Sequence, residues 1–342
     1  MKKILIALLG ISLLGCAMIF VGCSKEEKQT AQEKSELQFV LLVKSLGNGF
    51  FEAVADGGEE AAAALGGIKS IYMGPSASTA EGQIEIIETL IAQKVDGIAI
   101  SANDRDALIP VTKKAMAAGI KVISFDSGIA PGGRIIDLVP SVEELIGRQQ
   151  VQLIAELTGN KGKIGIVSAT SQATNQNAWI KWMYEEIKKP EYKDMEIVEV
   201  VYGDDAADKS YREAVSLFNK YPDLAGIISP TTVGVLAAAK AIEDEGLKGK
   251  VQLTGLGLPS EMQHYVENGT CGQMALWNPV DLGYTSIHIL KALVDGTVTG
   301  KEGDKIPAGR MGTITVGKDG NAVMGAPFVF NAENIATYAA MF

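Results

Sequence analysis

From residue 39 to residue 256 the chain alternates short apolar runs with Ala- and Glu-rich stretches of helical periodicity. Strands are expected over 39–44, 70–73, 97–101 and 121–126, with helices over 52–65, 80–93 and 106–118 between them. A short strand over 134–139 and a helix over 141–157 follow. The pattern then restarts, with strands over 163–168, 196–202, 226–229 and 251–256 and helices over 175–189, 208–221 and 233–245. Apolar strands separated by helices call for a parallel sheet covered on both faces. Roughly nine such units would make one sheet unusually wide, so two doubly wound α/β lobes are expected, with a single (β/α)8 barrel as the alternative. A turn and helix over 277–294, short strands over 313–316 and 328–330 and a final helix over 332–341 must join lobes already built. A chain that passes several times between two lobes makes a hinge with a cleft across it.

The 342 residues, 47% hydrophobic and 6% aromatic, supply ample core for such lobes. Residues 1–22 stand apart from the fold: Lys2 and Lys3, an apolar run over 4–21 and the Gly22-Cys23 end read as a processing segment, with an uncleaved membrane anchor as the alternative. Residues 23–36, rich in Glu, Lys and Gln, read as a flexible tether. Loss of the two leader lysines makes the chain more acidic than the −10 of the whole sequence. That argues against nucleic acid as a partner, because phosphate binding needs clustered Lys and Arg. Of the three cysteines, Cys16 and Cys23 belong to the leader, which leaves Cys271 as a structural thiol and no disulfide framework.

Little in the chain is built for catalysis. His264 and His288 are the two imidazoles, and neither lies in a zinc or nucleophile motif. There is no G-x-S-x-G elbow and no Walker loop. Gly47-Asn48-Gly49 begins like a dinucleotide fingerprint, but Glu52 stands where the third Gly or Ala belongs and Phe50-Phe51 block a pyrophosphate. No cofactor and no metal are expected.

In an open α/β sheet, small ligands bind beyond the carboxyl ends of the strands. Lys44, Asn103, Asp126, Asn175, Gln176, Thr231, Thr232 and Asn278 fall at or beside expected strand ends, with Phe50, Phe51, Trp179 and Trp277 near them. An aromatic face covers the C–H face of a sugar ring while amides and carboxylates take its hydroxyls. Many neutral amides and few charges suit an uncharged polyol better than a phosphate. Plainer readings stand beside this one. Asp126 is equally a turn cap, Asn175 a helix N-cap, Trp179 a core residue at i+4 from it, Lys44 a solvated cation and the two glycines relief for a tight turn.

Five stretches carry a resemblance: Val43-Lys44-Ser45-Leu46-Gly47-Asn48-Gly49-Phe50-Phe51, Ser124-Phe125-Asp126-Ser127-Gly128, Ala173-Thr174-Asn175-Gln176-Asn177-Ala178-Trp179, Ser229-Pro230-Thr231-Thr232 and Trp277-Asn278-Pro279-Val280-Asp281-Leu282-Gly283-Tyr284. With them the chain resembles the substrate-binding proteins of bacterial carbohydrate ABC importers, in the ribose-binding (type I periplasmic binding protein) superfamily. Within that group it is most similar to rhamnose-binding proteins and autoinducer-2 receptors. The leader resembles a bacterial lipoprotein signal, with Cys23 of Phe20-Val21-Gly22-Cys23 as the lipidated residue and Cys16 of Leu13-Leu14-Gly15-Cys16 as the alternative; Phe20 departs from the usual Leu.

The resemblance implies two lobes joined by three crossover strands, with residues 37–138 plus 278–310 in the first and 139–277 plus 311–342 in the second. It implies a monomer that does no chemistry, binds a small sugar or autoinducer-2, serves an ABC permease and is lipid-anchored on the outer face of the cytoplasmic membrane or periplasmic. Autoinducer-2 receptors hold their ligand with a Lys, an Asp, an Asp-Gln pair and the backbone of a Pro and an Ala. These fall on Lys44, Asp126, Asn175 with Gln176, Pro230 and Thr232. This chain departs at Asn175 in place of Asp and at Thr232 in place of Ala. Asn donates as well as accepts, and Thr adds a methyl and a hydroxyl. The two changes tilt the expectation towards a rhamnose-like deoxyhexose, whose methyl suits Phe50-Phe51, with autoinducer-2 as the alternative. An enzyme on the same sheets would need a paired acid and base, of which only Asp126 is apparent. A lactose-repressor-type regulator would need DNA-binding helices where the leader stands.

Overall fold

Phe39 to Val43 are entirely without solvent exposure, and strand alternation decides what each side chain touches. In the computed structural model, which describes residues 36–341, these residues lie in and just after strand β1 (Leu37–Leu42). The leader, Cys16 and Cys23 with the lipidation expected of the latter, and the tether as far as residue 35 lie outside the described residues. The chain then runs through α1 (Gly49–Leu65), β2 (Ile68–Met73), α2 (Ala80–Gln93), β3 (Gly97–Ile100), α3 (Ile109–Ala117), β4 (Lys121–Phe125) and β5 (Asp137–Val139). A second series follows: α4 (Glu143–Thr158), β6 (Lys161–Ser168), α5 (Thr174–Glu186), β7 (Asp194–Tyr202), α6 (Ala207–Lys220), β8 (Leu224–Ser229), α7 (Thr232–Asp244), β9 (Gln252–Gly255), α8 (Pro259–Glu267) and β10 (Gln273–Leu276). The chain closes with α9 (Pro279–Val294), β11 (Lys305–Pro307), β12 (Thr313–Thr315), β13 (Asn321–Val323), β14 (Phe328–Asn331) and α10 (Ile335–Ala339).

Two parallel sheets result, as expected of two doubly wound lobes and unlike a barrel. The first has the order β13-β5-β4-β3-β1-β2 and the second β7-β6-β8-β9. A parallel bridge between Leu256 and Ala275 carries the second sheet on to β10, and β14 pairs antiparallel with β10. Neither β10 nor α8 was expected from the sequence, because the stretch between them and their neighbours is short and carries little periodicity. On the first sheet, Val40 and Leu42 pack with Ile87, Leu90 and Val111 of α2 and α3, whereas Phe39, Leu41 and Val43 belong to the core under α1 and α9. Helices α1 and α9 approach closely enough that a Cβ on Gly57 would sit 1.8 Å from the Val280 carbonyl oxygen. A Cβ on Gly283 would sit 1.9 Å from that of Val54. Only glycine admits backbone contact this close.

The chain passes between the lobes three times, after β5, before α9 and between β13 and β14. The last passage corrects the expectation that residues beyond 310 belong to the second lobe. Strand β13 pairs in parallel with β5 at the edge of the first sheet, so the crossing falls between Val323 and Phe328. Arg310 itself is pinned to the first lobe by ion pairs to Glu60 on α1 and Asp281 on α9 and lies over the ring of Tyr284, 4.1 Å from its centroid.

Candidate functional site

The carboxyl ends of β1 and β4 face those of β6 and β8 across the gap between the lobes, and the side chains there line a small cavity. Lys44, two residues beyond β1, is only 4% exposed. Its backbone is fixed by a buried amide clamp: Asn103 donates through Nδ2 to the carbonyls of Lys44 (2.9 Å) and Thr79 (3.0 Å), and Gln83 donates through Nε2 to Val43 (3.0 Å) and Ser101 (2.8 Å). Gln83 Oε1 accepts in turn from the Asn103 backbone N–H at 2.9 Å. Asn103 therefore lines a neighbouring cleft and supports the strand ends instead of lining the cavity.

Asp126 follows β4 in a left-handed conformation, φ 58°, that turns its carboxylate into the gap. Oδ2 accepts from Ser101 Oγ at 2.8 Å and lies 3.9 Å from Lys44 Nζ. Oδ1 accepts from Asn175 Nδ2 at 3.3 Å. Burial pushes the Asp126 carboxyl above its ordinary range, against the opposing pull of Lys44 and Ser101.

Asn175 sits in the first turn of α5, past the cap position, which Ala173 occupies; the helix-cap reading of Asn175 is thereby removed. Its Oδ1 accepts from Lys44 Nζ at 2.9 Å. Gln176 uses its oxygen to accept from Ser168 Oγ (2.7 Å) and the Ala169 N–H (2.8 Å), so its amide NH2 is what it offers the cavity. Pro230 follows β8, Thr231 caps α7 and Thr232 opens it, with Thr232 Oγ1 3.4 Å from Asn48 Oδ1 across the gap.

The apolar wall is a chain of edge-to-face aromatics, the favoured geometry for such pairs. Phe50 and Phe51 have centroids 5.2 Å apart, Phe50 and Trp277 6.2 Å, and Trp179 and Trp277 5.7 Å. Trp179 is both core and cavity wall. The Nε1–H of Trp277 is buried without a partner among the described residues.

Of the residues singled out in the sequence, Lys44, Phe50, Phe51, Asp126, Asn175, Gln176, Trp179, Pro230, Thr231, Thr232 and Trp277 line this cavity. Asn278 does not. It caps α9, accepting from the Val280 and Asp281 N–H groups at 2.9 and 3.4 Å. Four lining residues were missed: Asn48, Asp205, Leu256 and Leu276. Asn48 lay within the turn already marked. Asp205 follows β7 as Asp126 follows β4, a parallel that was available in the sequence. Leu256 follows β9 and Leu276 ends β10, the second of which had no periodic signal.

Among the described residues no group of three or more His, Cys, Asp or Glu is placed to hold a metal. What the site offers is one ammonium, two carboxylates, three carboxamides, two hydroxyls and an aromatic wall. That set fits a compact neutral molecule with several hydroxyls.

A family model described as periplasmic binding protein domain matches residues 39–297. The D-ribose/D-allose-binding protein of Pseudomonas aeruginosa is 26% identical over 260 residues, covering 70% of this chain and 77% of that protein. Among solved structures, an ABC transporter solute binding protein from Clostridium phytofermentas with bound L-rhamnose matches at TM-score 0.86 and 37% identity, over 90% of this chain and 99% of that one. LsrB from Clostridium saccharobutylicum in complex with AI-2 matches in fold at TM-score 0.83 and 23% identity, over 88% and 99%.

Proposed function

The chain belongs to the periplasmic binding protein domain family, and from that premise we propose that it is the sugar-capturing component of an ABC importer, with L-rhamnose as its ligand. The observation that carries the proposal is the cavity itself. Lys44, Asp126, Asn175 and Gln176 converge from both lobes opposite Phe50, Phe51, Trp179 and Trp277. Such a site hydrogen-bonds hydroxyls around the rim of a ring and lays its C–H face on aromatics. The polar groups stand on one side of a small cavity and the aromatics on the other, an arrangement suited to a single sugar ring. The C. phytofermentas protein, similar along nine-tenths of this chain, has L-rhamnose bound.

The second reading is an autoinducer-2 receptor. It is favoured by Lys44, Asp126, Gln176 and Pro230, which stand together in the cavity as that group's ligand set requires. Against it, Asn175 donates to Asp126, a bond that an ionised Asp at this position does not make.

The protein works as a monomer that binds and releases its ligand unchanged, held at the outer face of the cytoplasmic membrane by a lipid on Cys23. No helix among the described residues is long and apolar enough to cross a membrane. The permease is its partner in that membrane.

Titration of the purified protein with L-rhamnose, autoinducer-2 and a panel of pentoses and hexoses, followed by tryptophan fluorescence and melting temperature, tests the assignment. Saturable stabilisation by L-rhamnose above the other sugars is the expected result. Preference for autoinducer-2 replaces the ligand assignment, no response to any member of the panel ends the receptor reading, and turnover of the bound sugar makes the protein an enzyme.

A further inference from the structure

Two consecutive residues after β7, Asp204 and Asp205, adopt left-handed backbone conformations with φ of 55° and 51°. Asp tolerates this region better than most residues with a Cβ, but it is normally adopted by single residues, and two in succession fix the direction of the chain beside the cavity. Thr231 breaks a second local rule. It occupies the cap position of α7 yet makes no side-chain cap bond, donating its hydroxyl to Asp205 Oδ1 instead. A helix cap is given up to hold one carboxylate. Local rules broken without local gain mark functional positions.

The place of Asp205 says what that function is. It lines the central cavity and also both clefts that flank it along the gap between the lobes, the one residue common to all three. It is thus the wall between cavity and solvent. Both oxygens of Asp126 are already engaged by Ser101 and Asn175. The bond from Thr231 leaves the second oxygen of Asp205 without a protein donor among the described residues. Burial raises the carboxyl of Asp205 above its ordinary range, with Lys44 and Thr231 pulling it back.

We propose that Asp205 is a further ligand-binding residue, accepting a hydrogen bond from one sugar hydroxyl through its free oxygen and closing the cavity behind the bound molecule; this rests on the sugar-receptor reading above. It requires a ligand with a hydroxyl directed at the second lobe's mouth, and it disfavours anionic sugars, because an acid phosphate or carboxylate would meet Asp205 as it enters.

The test compares wild type with Asp205→Asn, which keeps the left-handed turn and the Thr231 bond, and with Asp205→Gly, which keeps only the turn. Affinities are measured for L-rhamnose and its 2-, 3- and 4-deoxy analogues. Both variants are expected to weaken L-rhamnose binding about tenfold to hundredfold, the range for a hydrogen bond to a charged group, and one deoxy analogue is expected to bind wild type and variants alike. Unchanged L-rhamnose affinity in both variants overturns the proposal. So does a loss of equal size for every analogue, since that marks a structural role. A wild type that binds none of these sugars removes the receptor reading and this inference together.

Discussion

Lys44 Nζ donates to Asn175 Oδ1 at 2.9 Å across the gap between the lobes, and Asn175 Nδ2 reaches back to Asp126 Oδ1 at 3.3 Å. One carboxamide therefore joins a cation and an anion of the opposite lobe, using both of its chemistries. A carboxylate in its place would keep the first bond and turn the second into a repulsion.

The variant Asn175→Asp is accordingly expected to acquire a shared proton with Asp126, since two carboxylates this close resist ionising together. Its sugar affinity should depend on pH more steeply than that of wild type between neutral and mildly acidic pH. Combined with Thr232→Ala, which removes the contact to Asn48, it should move preference towards autoinducer-2. Isothermal titration with both ligands across that range measures both effects.

Asp126→Asn keeps the left-handed turn and is expected to weaken sugar binding about a hundredfold, as the cavity loses the charged acceptor around which Ser101, Lys44 and Asn175 are arranged. Its melting temperature at neutral pH should be no lower than that of wild type, because the cost of burying the carboxylate is gone. A carboxyl whose folded pKa is raised costs stability above that pKa, and the cost fades as pH falls through it. Wild type should therefore gain stability relative to Asp126→Asn as pH is lowered from neutral into the acid range, while its sugar affinity declines over the same range. Denaturant melts of the pair at several pH values read the difference.

Trp179 and Trp277 line the cavity, whereas Trp182, the third tryptophan, packs under Arg148, 4.8 Å from the guanidinium carbon. Trp182→Phe should leave the ligand-induced fluorescence change in place. Trp277→Phe should remove most of it and weaken binding about threefold to tenfold through lost aromatic contact.

Cys23→Ser is expected to release the protein from the membrane fraction, and Cys16→Ser to leave it there. Fractionation of expressing cells with detection of the incorporated lipid separates the two cysteines.

Local signals in the chain determined the strand and helix alternation, the two lobes and most of the lining of the cavity. Strand ends and helix starts are written in apolar runs and turn residues, and an α/β sheet brings those ends to one side. Tertiary structure alone decided which of the polar strand-end residues face the cavity. Asn103 and Asn278 have the same side chain and the same kind of position as Asn175, yet one clamps two strand ends and the other caps a helix, because neighbouring carbonyls and N–H groups claim them first. Strand β13 was hidden for a related reason. Three residues carry no period, and only the exposed edge of β5 at the far side of the first sheet makes them a strand. Lys44, Asn175 and Asp126 were each legible as candidates. That Asn175 binds the other two across a hinge is a fact of packing between segments up to 131 residues apart, and no local pattern records it.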